Sequence, residues 1–113
     1  MNVRFSAGTL RCRVTPAELE QLLSTNSLRL TVSLPRRHSL QVTVRSVVLN
    51  SWQLDSDPTG IWIAIPRAQL ELLAQSLPSR EGITHSFAVD AAEQLQLIFE
   101  VDVRKRQRAS TSG

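Results

Sequence analysis

The sequence predicts an α+β domain: a mostly antiparallel sheet or partly closed barrel with two short helices. Three observations lead there. Strict alternation of apolar and polar residues recurs along the 113 residues, two stretches switch to helical spacing, and the order strand–helix–hairpin occurs twice.

The elements follow in order. Val3 and Phe5 alternate with polar neighbours as a short strand, and Ala7-Gly8 supplies a turn. Leu10, Cys12 and Val14 then alternate with Arg11 and Arg13, which predicts a half-buried strand. Thr15-Pro16-Ala17-Glu18 has the pattern of a capping box with proline at the first helical position. Leu19, Leu22 and Leu23 line one face of that helix, and Ser24–Ser27 ends it. Leu28, Leu30, Val32 and Leu34 have period two, Pro35–His38 turns, and Leu40, Val42 and Val44 return as the second arm of a hairpin. The less regular run from Val47 to Leu54 contains a further strand, and Asp55–Gly60 reads as a loop. The pattern then restarts. Ile61, Ile63 and Ile65 alternate, Pro66 opens a helix with Leu70, Leu73, Ala74 and Leu77 on one face, and Pro78–Gly82 breaks it. Ile83, His85, Phe87 and Val89 form one arm of a hairpin, Asp90–Glu93 turns, and Leu95, Leu97, Phe99, Val101 and Val103 form the other.

Superposing Leu10–Val14 on Ile61–Ile65 aligns the inward positions, and at the same offset Ala17, Leu19, Glu20 and Leu22 meet Ala68, Leu70, Glu71 and Leu73. After a loop about four residues longer in the second copy, Leu28, Leu30, Val32 and Leu34 meet Ile83, His85, Phe87 and Val89. The chain therefore reads as one domain, residues 1–103, with pseudo-repeats over 1–46 and 47–103 and a disordered basic tail over 104–113. Packing two such units around a pseudo-twofold axis buries both apolar faces, and closure into a barrel would remove exposed edges.

At 42% hydrophobic residues the chain can build a core without a metal or disulfide, burying roughly two-thirds of the surface its unfolded chain exposes. The single cysteine excludes an internal disulfide and fits a reducing compartment. No apolar run reaches signal-peptide or membrane-span length, so a cytoplasmic location is expected and no membrane partner. The net charge of +3 comes from the tail. Within the body the halves differ: residues 1–50 hold seven Arg and two Glu, residues 51–103 two Arg and eight acidic groups. Such a split can orient a protein partner or a second copy of the chain.

The opening Met1–Phe5, the strand Leu10-Arg11-Cys12-Arg13-Val14-Thr15 running into Pro16-Ala17-Glu18-Leu19, and the helix start Ile65-Pro66-Arg67 form a recognisable pattern. It resembles a family of small uncharacterised bacterial proteins, a domain of unknown function. Members open with a strand like Met-Lys-Ile-Arg-Ile, continue with one like Leu-Arg-Leu-Arg-Leu-Thr, and start their second helix at Ile-Pro-Lys. The resemblance covers most of residues 1–90, implies a shared fold, and brings no activity, cofactor or catalytic residues. Members tend to end acidic, whereas this chain ends basic.

Candidate chemistry is sparse. His38 lies in a turn beside Arg36 and Arg37 and reads as a solvated loop residue. His85 takes an inward strand position and is either a core histidine or a site residue. Cys12 reads as a small core residue. No metal-ligand spacing or glycine-rich phosphate loop is present, and Asp55 and Asp57 lack the remaining ligands of a calcium loop, so neither metal nor cofactor is expected. Arg4, Arg11, Arg13, Arg29 and Arg45 lie opposite the apolar positions of their strands and are the candidate anion-binding set; brought together, they would suit phosphate or carboxylate. Arg-x-Arg strands are similar to those of triphosphate-tunnel hydrolases, but Val3–Ala7 has no carboxylates where those enzymes hold a metal. Ile63-Ala64-Ile65-Pro66-Arg67 resembles the start of the helix in swapped-hairpin DNA-binding domains, which are usually dimers that a tandem copy would mimic. Trp52 and Trp62 suit packing or base stacking, and Arg104, Lys105, Arg106 and Arg108 suit nonspecific phosphate contacts. The expectation is a non-enzymatic binding or assembly module, with nucleic-acid or polyanion binding as the alternative.

Overall fold

The computed structural model describes residues 1–78 and 81–103. The basic residues 104–108, expected to lie in a disordered tail, and the rest of 104–113 fall outside the described residues. The elements run β1 (Asn2–Ser6), β2 (Thr9–Val14), α1 (Pro16–Thr25), β3 (Ser27–Ser33), β4 (Ser39–Val47), β5 (Gln53–Asp57), β6 (Gly60–Pro66), α2 (Arg67–Gln75), β7 (Ile83–Ala88) and β8 (Gln94–Val101). They form an α+β fold of two four-stranded mixed sheets with two helices.

The strands pair in the order β1-β2-β8-β7 in one sheet and β3-β4-β6-β5 in the other. Each outer pairing is antiparallel and each central pairing, β2 with β8 and β4 with β6, is parallel. The hairpin β1–β2 thus shares a sheet with β7–β8, while β3–β4 joins β5–β6. Each half of the chain places one hairpin in each sheet.

The expected partial barrel does not form: both sheets are open. Burial does not need closure here. Leu10, Cys12, Val14, Leu97 and Phe99 from the first sheet and Leu28, Val42, Val44, Ile63 and Ile65 from the second already join one core with Leu19, Leu22, Leu70 and Leu73 of the helices. The edge strands are short or carry outward charge, Arg4 on β1 and Asp55 on β5, which discourages further pairing. Both helices pack against the second sheet and each other, α1 on β3 and β4, α2 on β6 and β4.

Local rules set the element ends. Thr15 accepts from the Glu18 N–H at 3.1 Å and the Glu18 carboxylate accepts from the Thr15 N–H at 2.9 Å, so the predicted capping box is made. Asn26 closes α1 in the left-handed conformation, φ 65°, and donates to the Leu22 carbonyl. Gly8 supplies the positive φ, 79°, of the β1–β2 turn.

Two predicted boundaries move. Asp55–Gly60 was expected as a loop, but β5 runs through Asp57, with Asp55 opposite Trp62 and Ser56 opposite Ile61. Pairing to β6 and solvent on the other side outweigh the low strand propensity of aspartate. Pro66 ends β6, and α2 begins at Arg67. In between, the run from Val47 to Leu54 divides into the last residue of β4, a linker and the start of β5.

Candidate anion-binding face

Alternation along β2 turns Leu10, Cys12 and Val14 into the core and leaves Arg11 and Arg13 on the outer face. The register with β1 sets Arg4 directly opposite Arg11 and Asn2 opposite Arg13. Parallel pairing with β8 brings Glu100 opposite Arg13. Two guanidinium groups thus meet one carboxylate: Arg11 Nη1 donates to Glu100 Oε1 at 2.6 Å, and Arg13 Nη2 lies 3.6 Å from Glu100 Oε2, while Arg4 lines one small pocket with both arginines. Arg4 forms no ion pair among the described residues. Elsewhere the outer face along β7 and β8 presents Thr84, Ser86, Gln94, Gln96 and Ile98, all uncharged.

Beside the arginines lies a groove of 320 Å³, lined by Asn2, Arg4, Arg13, Thr15, Glu18 and Asp102 among others. Its acidic wall is engaged. The Glu18 carboxylate receives the amino-terminal ammonium of Met1 as well as the Thr15 N–H. Burial raises its pKa, but these hydrogen bonds and the ammonium charge outweigh that and hold it below the usual carboxylate value.

Arg29 and Arg45, placed by the sequence with the other three, lie on the other sheet. Arg29 pairs with Thr43, and Arg45 with Ser27 and Ala64, so both stand on the outer face of β3 and β4. Arg45 lines a separate groove of 550 Å³ with Gln53, Asp55, Asp57 and Trp62. Hairpin exchange between the sheets is what separates the five arginines.

Two further candidates, Cys12 and His85, lie in packed surroundings. Cys12 is fully buried, and burial pushes its thiol pKa up to about 12, with a smaller opposing pull from the amino-terminal charge. His85 stacks on Trp52 with ring centroids 4.8 Å apart, and its other ring neighbour, Phe87, meets it edge-on at 4.9 Å. Among the described residues no group of three or more His, Cys, Asp or Glu is placed to hold a metal. Sequence reasoning missed Glu100, because only the β2–β8 pairing brings it to the arginines.

Residues 1–109 match the model of a family described as a family of unknown function, DUF7009. The chain belongs to that family. This agrees with the resemblance carried by the opening strands and the Ile65-Pro66-Arg67 helix start. No curated protein and no solved structure matches the chain. As a member of DUF7009, the chain gains a family but no assigned chemistry, so function rests on its own surface. Among the described residues no helix is long and apolar enough to cross a membrane.

Proposed function

We propose that this protein is a non-enzymatic binding module that holds a phosphate-rich polyanion on the outer face of β1 and β2. The observation that carries the reading is the grouping of Arg4, Arg11 and Arg13 on one face, with Arg11 and Arg13 paired to the single carboxylate of Glu100. Planar guanidinium donors fixed on a sheet suit phosphate oxygens, and Glu100 holds Arg11 and Arg13 in place without neutralising all three charges. The uncharged surface along β7 and β8 leaves room for an extended ligand.

The chain is further read as two fused copies of one unit, which would supply in a single chain what swapped-hairpin domains build as dimers. The pairing orders β1-β2-β8-β7 and β5-β6-β4-β3 correspond strand for strand. Their central registers correspond as well, Leu10 with Leu97 and Cys12 with Phe99 against Ile61 with Val42 and Ile63 with Val44.

The test is fluorescence anisotropy with labelled duplex DNA, single-stranded RNA and polyphosphate. It compares the full-length chain, a full-length variant with Arg104, Lys105, Arg106 and Arg108 changed to Gln, and that variant carrying R4Q and R13Q as well. About three phosphate contacts on duplex DNA predict roughly 40-fold weaker binding between about 50 and 200 mM salt. Binding that survives neutralisation of the tail and falls with R4Q and R13Q supports the reading. Binding lost with the tail charges alone refutes it.

A further inference from the structure

A second site is built where the two helices meet the end of β4, away from the arginine face. Asn26 ends α1 there, Arg67 begins α2, and with Ser46, Val47, Val48 and Leu49 they line a groove of 380 Å³. Three features set this groove apart from ordinary surface.

The first is a polar atom with nothing to bind. Ser46 is 8% exposed, its N–H donates to the Asn26 carbonyl at 3.2 Å, and its buried Oγ has no hydrogen-bond partner among the described residues. A buried hydroxyl is normally satisfied, and leaving it unpaired costs roughly 1–3 kcal/mol.

The second is a positioned cation. Arg67 Nη1 donates to the Leu23 carbonyl at 2.8 Å and to Asn26 Oδ1 at 3.2 Å, which fixes the guanidinium against the carboxyl end of α1. Its Nε lies 3.4 Å from the half-exposed Glu71 carboxylate, so its charge is partly balanced. Arg67 also opens α2, whose N-cap, Pro66, offers no side-chain cap to the first turn.

The third is apolar surface that the fold leaves uncovered. Val48 is 88% exposed and Leu49 63%, side by side in the linker between the halves.

We infer that this groove binds a small aliphatic monocarboxylate, the carboxylate taken by Arg67 and the Ser46 hydroxyl and the alkyl group laid on Val48 and Leu49. The partly balanced charge of Arg67 suits one negative charge better than the two of a phosphate monoester. The adjoining valine and leucine select an acid with a branched or straight alkyl group over a hydrophilic one. The size is right for a ligand of a few heavy atoms in an open site. A free short-chain acid and the carboxyl terminus of a peptide ending in an aliphatic residue share this chemistry.

The experiment is amide-detected NMR on the isotopically labelled full-length chain. It is titrated with 4-methylpentanoate, with 4-methylpentanamide, and with N-acetyl-alanyl-leucine as a free acid. Saturable shifts centred on Ser46–Leu49 and Arg67 with either acid, and absent with the amide, are expected; which acid binds tighter identifies the source. S46A removes a hydroxyl with no partner among the described residues, so it should fold normally and weaken binding by about tenfold. R67Q should abolish binding and weaken the α1–α2 contact, which is why S46A is the deciding variant. Equal shifts from acid and amide, no shift at tens of millimolar acid, or unchanged affinity in a folded S46A variant would overturn the inference.

Discussion

Replacing Glu100 by Gln should move stability and anion affinity in opposite directions. Glu100 is nearly buried on the central strand β8 and accepts from Arg11 at 2.6 Å, with Arg13 at 3.6 Å. Glutamine keeps the shape and one acceptor but removes the charge. A hydrogen bond to a charged group contributes about 1.5–3 kcal/mol, and the exposure of Arg11 lowers this to about 1–2 kcal/mol. For a domain of this size that corresponds to a melting temperature lower by about 5–10 °C. Removing the charge also frees the face. A carboxylate about 8 Å from each of two bound phosphates repels them by roughly 0.5 kcal/mol apiece in a water-like dielectric. The sum, about 1 kcal/mol, makes E100Q bind polyphosphate roughly 5-fold more tightly at low salt. The assay pairs thermal melts with anisotropy titrations held well below both melting temperatures. Unchanged or weaker binding by a folded E100Q variant would refute the placement of the anion on this face, because a purely structural cluster has no reason to gain affinity as it loses stability.

Other consequences are checked more simply. The Cys12 thiol should resist thiol-reactive dyes in native protein at pH 8 and react stoichiometrically once the chain is unfolded in guanidinium; prompt reaction in buffer would contradict its burial and its pKa of about 12. Because the Glu18 carboxyl is held below its usual pKa, it stabilises the fold above its unfolded pKa of about 4.3, and that contribution disappears as pH falls through the lower folded value. The E18Q variant should therefore lose less stability than the parent in urea melts between about pH 5 and pH 3. T15A, which removes the other half of the capping box, should cost about 1 kcal/mol in the same melts. At Gly60 an added Cβ would lie 2.1 Å from the Gln41 carbonyl oxygen, so G60A should destabilise by about 1–3 kcal/mol or more by forcing β4 and β6 apart.

Much of the fold is legible from local signals. Thr15, Pro16 and Glu18 announce α1 because capping depends on neighbours three residues apart, and period two marks β2, β3, β4, β6 and β8 because each has one face in the core. Sheet membership is not local. The parallel pairing of β2 with β8 joins Cys12 to Phe99 across most of the chain, and alternation alone leaves open which hairpin joins which sheet. The strand expected between Val47 and Leu54 lies instead at Gln53–Asp57 for the same reason: Gln-Leu-Asp-Ser-Asp becomes a strand only beside β6. At the candidate face, the outward direction of Arg4, Arg11 and Arg13 follows from alternation, whereas the removal of Arg29 and Arg45 to the other sheet follows from hairpin exchange. The Ser46–Arg67 groove was illegible because it joins the end of β4 to the start of α2, two segments with no common sequence pattern.

The two sheets also differ where their topology is the same. The outer-face position of Arg4, opposite Arg11 on the edge of the first sheet, corresponds to that of Asp55, opposite Trp62 on the edge of the second. Glu100, opposite Arg13 across the central parallel pairing, corresponds to Arg45, opposite Ala64. Charge is inverted at both places, while the core positions beneath, Cys12 and Phe99 against Ile63 and Val44, remain apolar. Core positions are constrained by packing, since a buried charge without a partner is expensive, and outer-face positions are free to differ. An arginine cluster on one sheet and an acidic edge beside Arg45 and Trp62 on the other therefore make two chemically distinct surfaces on equivalent frameworks. A polyanion has reason to choose the first over the second, so R29Q and R45Q should leave its binding nearly unchanged while R4Q and R13Q reduce it. Equal losses from both pairs would mean that total charge, rather than the geometry of β1 and β2, sets affinity.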